Sequence, residues 1–250
     1  MSVVKGADLI FETENLAQTQ GREVMPKGIK DPRRGFQYVN HFLQALPTAT
    51  GEFLISSLNG AGATFTIGNR SGQLGIGIGN TGTTATGRGG VQTSLTALLI
   101  PTGEQMLRFM TKLRMPILSD AVETFAIRGG FLDNAAADST DGAYFTIDPF
   151  SIGDSVRCTT ANGGVRTNSD ITIPNTWLAD TDYTFTIDLY ATRAEYTFVD
   201  AGSGQSLVKV ISTNLPAGAA SFGVGLSITK TLGITARTME SDYFLFDGSI

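Results

Sequence analysis

Short runs in which apolar and polar residues alternate dominate the chain from Val122 to Ile250, and Gly, Asn and Asp separate them. In DYTFTIDLY (Asp182 to Tyr190) every second residue is apolar, and AEYTFVD (Ala194 to Asp200) follows nearly the same pattern. Because successive side chains of a strand point to opposite faces, this period predicts half-buried antiparallel strands joined by tight turns. The chain is therefore expected to be mainly β.

Similar patterns occur before Val122. In EQMLRFMTKLRMPIL (Glu104 to Leu118), one side is predicted to be apolar and the other basic, and Pro116 is expected to end the strand. The apolar side would carry Leu107, Phe109, Leu113 and Met115, and the basic side Arg108, Lys112 and Arg114. Further strand candidates are EFLISSL (Glu52 to Leu58), ATFTIG (Ala63 to Gly68), QLGIGIG (Gln73 to Gly79) and VQTSLTALLI (Val91 to Ile100). We expect one β-sandwich domain over residues 51–250.

The first fifty residues have a different pattern. Met1 to Lys30 shows no sustained period, and PKGIKDPRRG (Pro26 to Gly35) has the Pro, Gly and charge mixture of a loop or extended arm. FQYVNHFLQAL (Phe36 to Leu46) spaces its apolar residues as a helix does and stops at Pro47. So short a helix must pack its apolar face on the β-sandwich or on a neighbouring subunit. Residues 1–50 are thus predicted to form an arm and a short helix.

The segment NTGTTATGRGG (Asn80 to Gly90) consists of small residues and is predicted to be a surface loop, mobile or held by a partner. A literal G-x-G-x-x-G occurs just before and within it, at Gly77, Gly79 and Gly82. A dinucleotide site needs a helix directly after this motif, and the Thr- and Gly-rich continuation cannot supply one. No nucleotide site, and no other cofactor site, is predicted.

Charge and composition narrow the function classes. Charged residues make up only 16% of the chain, and the net charge is -5, which disfavours nucleic-acid binding because that binding depends on clustered Lys and Arg. Arg33 and Arg34 are two adjacent basic residues, and they form either a salt-bridged turn or a contact to a partner. No apolar run is long enough for a membrane span and no secretory signal is recognised, so we expect the protein in a cytoplasm unless it leaves within a larger particle.

The small number of cysteine and histidine residues limits the metal sites that the chain could form. With one cysteine, Cys158, and one histidine, the chain can form neither an intrachain disulfide nor a thiolate or multi-histidine zinc site, and Cys158 is expected to be buried. In the loop FLDNAAADSTDG, Asp133, Asp138 and Asp141 could coordinate a hard cation such as calcium. Alternatively, these aspartates are solvated turn residues that cap their own backbone.

Catalytic residues are not recognisable. The paired carboxylates of a β-sandwich glycosidase are missing, and Asp182 and Asp188, which flank an apolar run, fit strand-end turns better. No G-x-S-x-G motif and no cysteine with a nearby basic partner occurs, so a non-enzymatic function is predicted. Trp177 precedes a strand and could offer a face for stacking on a sugar, or it could plug the edge of the core.

The order of motifs in the second half resembles a domain of tailed-bacteriophage virion proteins, over about Val91 to Ile250. The motifs are GGFLDN, DGAYFTID, SVRCTTANGGVRT, a Trp-containing turn before DYTFTIDLY, AEYTFVD, STNLPAG and TARTMESDYFLFDG. The resemblance implies a concanavalin-like jelly roll of two facing antiparallel sheets, and a structural or attachment role in a phage particle. The residues before Val91 do not match that domain.

These observations lead us to expect a non-enzymatic capsid decoration or head-associated protein, located in the virion and assembled in the host bacterial cytoplasm. Its arm would contact other virion proteins, such as major capsid or tail proteins, and a homo-oligomer, possibly a trimer, is expected. The predicted partner-binding residues are Lys30, Asp31, Arg33, Arg34 and Phe36. The alternative is a carbohydrate-binding module of a tail or head fibre that uses Trp177 and the loops near Asp138 and Tyr190. A glycan-cleaving enzyme on a related fold is the third hypothesis.

Overall fold

The computed structural model describes residues 35–40, 62–70, 73–93, 105–134, 137–200, 203–217 and 223–249. Every regular element in these ranges is a β-strand, which confirms the prediction of a mainly β chain. The strands are β1 (Gly35–Asn40), β2 (Thr64–Arg70), β3 (Gln73–Asn80), β4 (Arg88–Gln92), β5 (Met106–Arg114), β6 (Thr124–Leu132), β7 (Gly142–Ile147), β8 (Ser155–Asn162), β9 (Val165–Thr172), β10 (Asp182–Tyr190), β11 (Ala194–Asp200), β12 (Ser206–Ile211), β13 (Gly223–Leu232) and β14 (Thr238–Ser249).

The described strands form two antiparallel sheets, here called the large sheet and the small sheet. The large sheet has eight strands in the order β12-β11-β10-β5-β14-β3-β2, with β1 beside β14. The small sheet has six strands in the order β4-β13-β6-β7-β8-β9. Their inner faces share one hydrophobic core, so the architecture is a jelly-roll β-sandwich.

Alternation along β5 and β10 builds the large sheet's side of this core. Both strands bury every second residue, and the inner side of β5 carries Leu107, Phe109 and Leu113 as predicted. Phe185 on β10 stacks on Phe145 of the small sheet, with ring centroids 4.3 Å apart. Each fully buried Leu or Phe contributes about 1.5–3 kcal/mol to folding, so the polar residues on the opposite side of β5 and β10 are held on a rigid support.

The prediction of a helix over Phe36 to Leu46 is wrong where the structure describes it. Gly35–Asn40 is strand β1, which pairs antiparallel with β14 from Gly35 opposite Ser249 to Asn40 opposite Phe244. Apolar residues three apart suggested a helical face, but pairing with a neighbouring strand outweighs so weak a local preference. Residues 41–46 and the arm before Gly35 lie outside the described residues, so the rest of the division into 1–50 and 51–250 stays a prediction.

The Gly- and Thr-rich segment at 80–90 is only in part the surface loop that we predicted: residues 81–87 form turns in which Thr83, Ala85 and Thr86 are exposed, but the rest is strand. Arg88–Gln92 forms β4, which pairs with β13, and Thr81 is fully buried. The reason for glycine is space: a Cβ on Gly89 would lie 2.1 Å from the Thr64 carbonyl oxygen and 2.6 Å from that of Asn80. Here β4 of the small sheet passes directly against β2 and β3 of the large sheet, and a side chain would not fit.

The remaining strand predictions had mixed outcomes. The candidates at 63–68 and 73–79 correspond to β2 and β3, whereas only the first two residues of the candidate at 91–100 belong to a strand, β4, within the described ranges. The candidate at 52–58 lies outside those ranges. Cys158 is fully buried as expected, and burial raises the pKa of its thiol.

A buried charge cluster ties the β13–β14 turn to the segment before β6. The Lys230 side chain is fully buried, and its Nζ lies 3.2 Å from Glu123 Oε2 and also donates to the Thr235 carbonyl oxygen. Glu123 Oε1 accepts hydrogen bonds of 2.9 Å from both the Ile234 and Thr235 amides. Arg237 is beside this pair and contacts Asp120 at 3.2 Å. We call Asp120, Glu123, Lys230 and Arg237 the end cluster.

Burial of the Glu123 carboxyl acts to raise its pKa, but the amides of Thr235 and Ile234 and the Lys230 ammonium outweigh that effect. The pKa of Glu123 is therefore lowered to about 2. The carboxylate is therefore ionised at neutral pH. In this form it binds the β13–β14 turn to the segment before β6 at this end of the sandwich.

Within the ranges that the structure describes, no helix is long and apolar enough to cross a lipid bilayer.

Candidate functional site: the polar face of the large sheet

The outer side of β10, β5 and β14 carries charged residues at the positions that alternate with the core. Asp188 of β10 lies opposite Arg108 of β5, and Arg108 lies opposite Asp247 of β14. On the other side, Asp188 lies opposite Glu195 of β11. A row of charged residues thus crosses four neighbouring strands. We call this outer side the polar face; its charged members are Arg70, Arg108, Lys112, Arg114, Asp182, Asp188, Arg193, Glu195, Glu240 and Asp247.

Arg108 and Asp188 form a bidentate pair at the centre of this row. Arg108 Nε donates to Asp188 Oδ1 at 2.6 Å, and Nη2 donates to Oδ2 at 2.7 Å. The hydrogen bond to Asp188 is the largest cause of a raised Arg108 pKa, and the negative charge of Asp247 adds to it. The Asp188 side chain is only 13% exposed, whereas that of Arg108 is 40% exposed. The guanidinium is therefore oriented by its partner and remains accessible to a ligand.

A second arginine pair extends the row toward β11. Arg193 lies in the turn between β10 and β11, and its Nε donates to Glu195 Oε1 at 2.5 Å. Its guanidinium carbon stands 4.0 Å from the centroid of the Tyr190 ring, a cation–π contact. Tyr190, Arg193 and Glu195 are all half-buried. The end of β10 thus combines an aromatic ring with two oriented arginine–carboxylate pairs.

The opposite end of the polar face holds a second charged group around Asp182. Its carboxylate receives Arg70 Nη1 at 3.0 Å and Lys112 Nζ at 3.1 Å. Burial acts to raise the Asp182 pKa, but these two cations outweigh it and the pKa is lowered. Arg114 also belongs here, with Nε 3.7 Å from Glu240 Oε2.

Uncharged residues separate the two charged ends. Thr186 of β10 lies between Thr197 of β11 and Met110 of β5, and Thr184 lies opposite Lys112. Asp182 and Asp188 are six residues apart on one strand, a distance of about 20 Å at 3.3 Å per residue. The polar face is therefore long, with threonine hydroxyl groups and Met110 near its centre and fixed charges at both ends.

The acidic loop between β6 and β7 has a mainly internal role. Asp133 Oδ2 accepts hydrogen bonds from the Asp141 amide at 3.2 Å and from the Thr140 amide and hydroxyl. Asp141 Oδ1 accepts the Gly163 amide at 3.0 Å. These contacts correspond to the backbone-capping alternative of the sequence analysis. In the described part of the chain, no three His, Cys, Asp or Glu residues are placed to hold a metal ion.

Asp138 has a different environment from the other two loop aspartates. Its Oδ1 lies 2.8 Å from Arg128 Nη2, and its backbone oxygen accepts from Arg166 Nη2 at 3.0 Å. Arg166 also binds the Ser139 carbonyl oxygen at 3.1 Å. Under this loop, burial raises the pKa of Tyr144, and the charge of Asp138 adds to the effect. The two arginines clamp the loop over the outer side of the small sheet.

Trp177 cannot stack on a sugar as the carbohydrate alternative assumed, because its ring is buried in the core. It is 4% exposed, and it packs edge-on against Tyr183 and Phe198 at centroid distances of 4.9 and 5.8 Å. Its Nε1 donates to the Gly153 carbonyl oxygen at 3.1 Å. Asp138 lies in the loop between β6 and β7 of the small sheet, and Tyr190 is the last residue of β10 in the large sheet. The predicted glycan site is therefore not assembled in the predicted form.

The predicted partner-binding residues fall almost entirely outside the structure. Lys30, Asp31, Arg33 and Arg34 lie outside the described residues, and Phe36 is placed only by its backbone, in β1 opposite Gly248. Their role in contacts with other virion proteins stays a prediction.

Sequence reasoning missed the residues that form the polar face as a group. Asp188 was interpreted as a strand-end turn residue, but it lies inside β10 and faces Arg108. The signal was present in part, because alternation places Arg108 and Asp188 on the outward sides of their strands. The missing information was that β5 and β10 are neighbours.

Comparison with known proteins identifies both a family and a fold. The family model described as SO2946-like, C-terminal domain, matches residues 69–242, which is more than half of the chain. A solved protein of unknown function, SO2946 from Shewanella oneidensis MR-1, is similar over 100% of this chain and 96% of its own, at 14% identity and a TM-score of 0.64. No curated protein sequence matches the chain.

Other solved structures share the fold at low identity. Peanut lectin is 10% identical, with a TM-score of 0.58, over 86% of this chain and 98% of its own. The CBM2 module of the evolved Dit protein of Lactobacillus casei BL23 phage J-1 is 12% identical, with a TM-score of 0.51, over 89% of this chain and 92% of its own. An endo-1,3-β-glucanase from Streptomyces sioyaensis and an alginate lyase from Klebsiella pneumoniae are also similar. These similarities establish a concanavalin-like, lectin-type β-sandwich.

Proposed function

The chain belongs to the SO2946-like C-terminal domain family, and we propose that it is a non-catalytic protein that binds carbohydrate through the polar face of its large sheet. The observation that carries the proposal is the row formed by Arg193, Glu195, Asp188 and Arg108 beside Tyr190. The lectins and the phage module that share the fold support the same class of ligand.

Sugars are recognised by groups that donate and accept several hydrogen bonds in fixed directions. An arginine held by a carboxylate offers its remaining N–H groups as oriented donors, and the carboxylate oxygens accept from hydroxyls. The half-buried Tyr190 ring adds an apolar edge of the kind that contacts the C–H side of a pyranose. A row that crosses four strands suits an extended chain of sugars better than a compact ligand, which would need a concave pocket.

The same geometry favours binding over cleavage. Glycoside hydrolases use two carboxyl groups on either side of the scissile bond, and one of them must donate a proton. In the central row, Asp188 accepts two hydrogen bonds from Arg108, and Glu195 accepts one from Arg193. Both carboxylates are thus occupied as acceptors from arginine and are poorly placed to protonate a leaving group.

A glycan array followed by titration of the best ligand tests the proposal. We expect saturable binding by the natural chain and a loss of about tenfold or more in Arg108→Gln, because a hydrogen bond to a charged group is worth about 1.5–3 kcal/mol. Arg157→Gln is the matched control: Arg157 forms a bidentate pair with Asp170 on the small sheet, at 3.0 and 3.2 Å, and is 39% exposed.

Two results would contradict the proposal. One is an array on which the natural chain binds nothing above background. The other is an equal loss of binding in Arg157→Gln, since that pair lies on the other sheet. A reducing-end assay on every bound polysaccharide tests the remaining hypothesis of a glycan-cleaving enzyme. Release of reducing ends would show that the protein cleaves the polysaccharide, and the proposal of a non-catalytic protein would be wrong.

A second candidate function, a structural component of a phage particle, is favoured by the similarity to a phage Dit module and by the sequence resemblance to virion proteins. In this proposal the segment before β1 anchors the chain to capsid or tail proteins, and the sandwich displays the polar face. A chain that lacks residues 1–34 still contains β1 and β14, which pair with each other. The truncated protein should keep its melting temperature and fail to enter particles.

The copy number of the chain in purified particles, measured by quantitative mass spectrometry, gives the position. Many copies would indicate the head or tail tube, and a few would indicate a fibre or baseplate. Replacing Lys30, Arg33 and Arg34 by alanine provides a milder variant of the truncation. Full occupancy of the truncated protein would remove the anchoring role.

A further inference from the structure

Each arginine in the charged row around Arg108 is compensated by a carboxylate at close range. Arg108 Nε lies 2.6 Å from Asp188 Oδ1, and Arg193 Nε lies 2.5 Å from Glu195 Oε1. Asp247 lies opposite Arg108 on the neighbouring strand β14 and adds a third carboxylate to the row. Among the described residues of this row, two arginines therefore face three carboxylates.

The charged group at the opposite end of the polar face has a similar composition. Its cations are Arg70, Lys112 and Arg114, and its carboxylates are Asp180, Asp182, Glu240 and Asp242. Lys112 Nζ lies 3.1 Å from Asp182 and 3.3 Å from Asp242. Arg114 Nε donates to Asp180 at 3.0 Å. In the part of the chain that the structure describes, carboxylates thus outnumber cations at both ends of the face.

The pKa values of two cations report the resulting electrostatic field. The pKa of Arg108 is raised, and the hydrogen bond to Asp188 is the largest cause. Burial acts to lower the pKa of Lys112, but its contacts with Asp182 and Asp242 outweigh burial, and the pKa is raised. The face therefore stabilises cations, and an added anion would meet the opposite effect.

Uncharged sugar hydroxyls do not meet this penalty. A hydroxyl both donates and accepts, so it can accept a hydrogen bond from an arginine and donate one to the carboxylate beside it. Thr184 and Thr186, between the two charged ends, add hydroxyl groups without charge. The described part of the face therefore offers many hydrogen-bonding groups without an excess of positive charge.

A uronate or sulfate group has different requirements. It is bound best by the paired N–H donors of an arginine whose positive charge is not already neutralised. Beside Arg108, its negative charge would lie next to Asp188 and Asp247, and like charges brought together in an interface are unfavourable. Such a repulsive element can determine specificity as well as an attractive contact does.

We propose that the polar face selects uncharged polysaccharides and rejects acidic ones, and that the carboxylates bonded to its cations determine this specificity. The inference rests on the proposed function, because it names the class of glycan that the same face binds. The carboxylates thereby have a role beyond orienting their arginines, since they exclude one class of polymer.

Glu195 is the carboxylate best suited to a test. Its side chain is 30% exposed and that of Arg193 is 39% exposed, so Glu195→Gln removes one negative charge near the surface and keeps the size of the side chain. The glutamine still accepts a hydrogen bond through its amide oxygen. The matched control is Asp170→Asn, which removes the charge from a pair on the small sheet whose members, Arg157 and Asp170, are both 39% exposed.

Affinities for matched pairs of polymers measure the selectivity. The probes are a mixed-linkage β-glucan, a galactomannan and a galactan, each used beside its carboxymethyl derivative, which has the same backbone and carries negative charge. We expect the natural chain to bind at least one neutral polymer about tenfold more tightly than its carboxymethyl form, because like-charge contacts disfavour the acidic form. The preference should shrink in about 1 M salt, where charges are screened beyond about 3 Å.

Glu195→Gln should reduce this preference by about threefold, which is the size of effect that one partly exposed charge exerts. Asp182→Asn, at the opposite end of the face, provides a second variant and should shift the preference in the same direction. Asp170→Asn should leave the preference unchanged. Circular dichroism and the melting temperature verify that all three variants fold.

The outcomes separate this inference from the proposed function. Equal or tighter binding of the carboxymethyl forms would overturn the selectivity and leave carbohydrate binding in place. Absence of binding to every polymer and to the glycan array would overturn both. A preference that Asp170→Asn reduces as much as Glu195→Gln does would show that the carboxylates of the polar face do not determine it.

Discussion

The Glu123–Lys230 pair of the end cluster and the Arg108–Asp188 pair of the polar face use the same attraction in opposite surroundings. The side chains of Lys230 and Glu123 are 0% and 8% exposed, and each also forms hydrogen bonds with backbone groups. Arg108 is 40% exposed and is bound by a side chain of the neighbouring strand. One pair is enclosed by the fold, whereas the other presents its arginine to solvent and keeps its aspartate mostly buried, at 13% exposure.

The comparison shows where an ion pair is a structural element and where it is free to act on a ligand. Removing one member of a buried pair leaves a charge without compensation in a poorly polarisable environment, which is costly. An exposed pair contributes little, because water solvates either partner alone. We therefore expect the end cluster to control stability and the polar face to control binding.

The largest expected effect is on stability, in the end cluster. Lys230→Met removes the buried cation and should lower the free energy of unfolding by about 3 kcal/mol, as observed when one partner of a buried pair is deleted. Chemical denaturation measures the change. The matched control, Lys112→Met, alters a lysine that is 26% exposed on the polar face and should cost about 1 kcal/mol or less. Equal losses in the two variants would break the comparison.

The pH dependence of stability gives the next effect. Because folding lowers the Glu123 pKa from 4.5 to about 2, its contribution to stability is complete above pH 4.5 and declines as the pH falls toward 2. Glu123→Gln should therefore be less stable than the natural chain at pH 7, and the difference should shrink as the pH falls from 4.5 toward 2. Thermal unfolding across this range measures it. A difference that grew with acidity would show that the sign is wrong.

Arg108→Gln should change stability less than Lys230→Met does. Arg108 is 40% exposed but Asp188 only 13%, so the free energy of unfolding should fall by about 1–2 kcal/mol, between the losses typical of exposed and of buried pairs, and the loss should diminish at high salt. Denaturation curves with and without added salt measure both. A loss as large as that of Lys230→Met would make Arg108 a structural residue and would weaken the case for a binding surface.

The smallest expected effect is in Arg157→Gln, whose pair lies at the edge of the small sheet with both side chains 39% exposed. We expect a stability change of about 0.5 kcal/mol or less and unchanged glycan binding. A clear stability loss here would mean that bidentate geometry, rather than burial, determines the strength of these pairs.

Alternation along the chain was sufficient to predict strands such as β5, because Leu107, Phe109 and Leu113 alternate with basic residues over a long stretch. It could not predict which strands are neighbours. Arg108 and Asp188 are eighty positions apart in sequence, and nothing local to either residue indicates the other. The candidate site depends on that pairing. The sequence therefore indicated which residues point outward from each strand, but it did not indicate which of them lie next to each other.

Two errors show how tertiary contacts override local patterns. Phe36 and Val39 have helical spacing, yet the backbone there is committed to hydrogen bonds with β14. The glycines among residues 87–90 suggested a mobile loop. In the structure, glycine is required at position 89 because the backbones of Thr64 and Asn80 leave no room for a side chain. In both cases the deciding partner lies far away in sequence, and composition alone gives the opposite impression.

The pairing of β1 with β14 has a practical consequence for labelling. Gly35 lies opposite Ser249, so the chain enters the sandwich at the place where its last strand leaves it. A fluorophore or fusion attached after Ile250 would stand beside the junction with residues 1–34, and it could obstruct whatever that segment contacts. The exposed Asn162 at the end of β8 is a safer attachment point than the adjacent Gly163 and Gly164, whose φ angles of +56° and +84° disfavour a side chain.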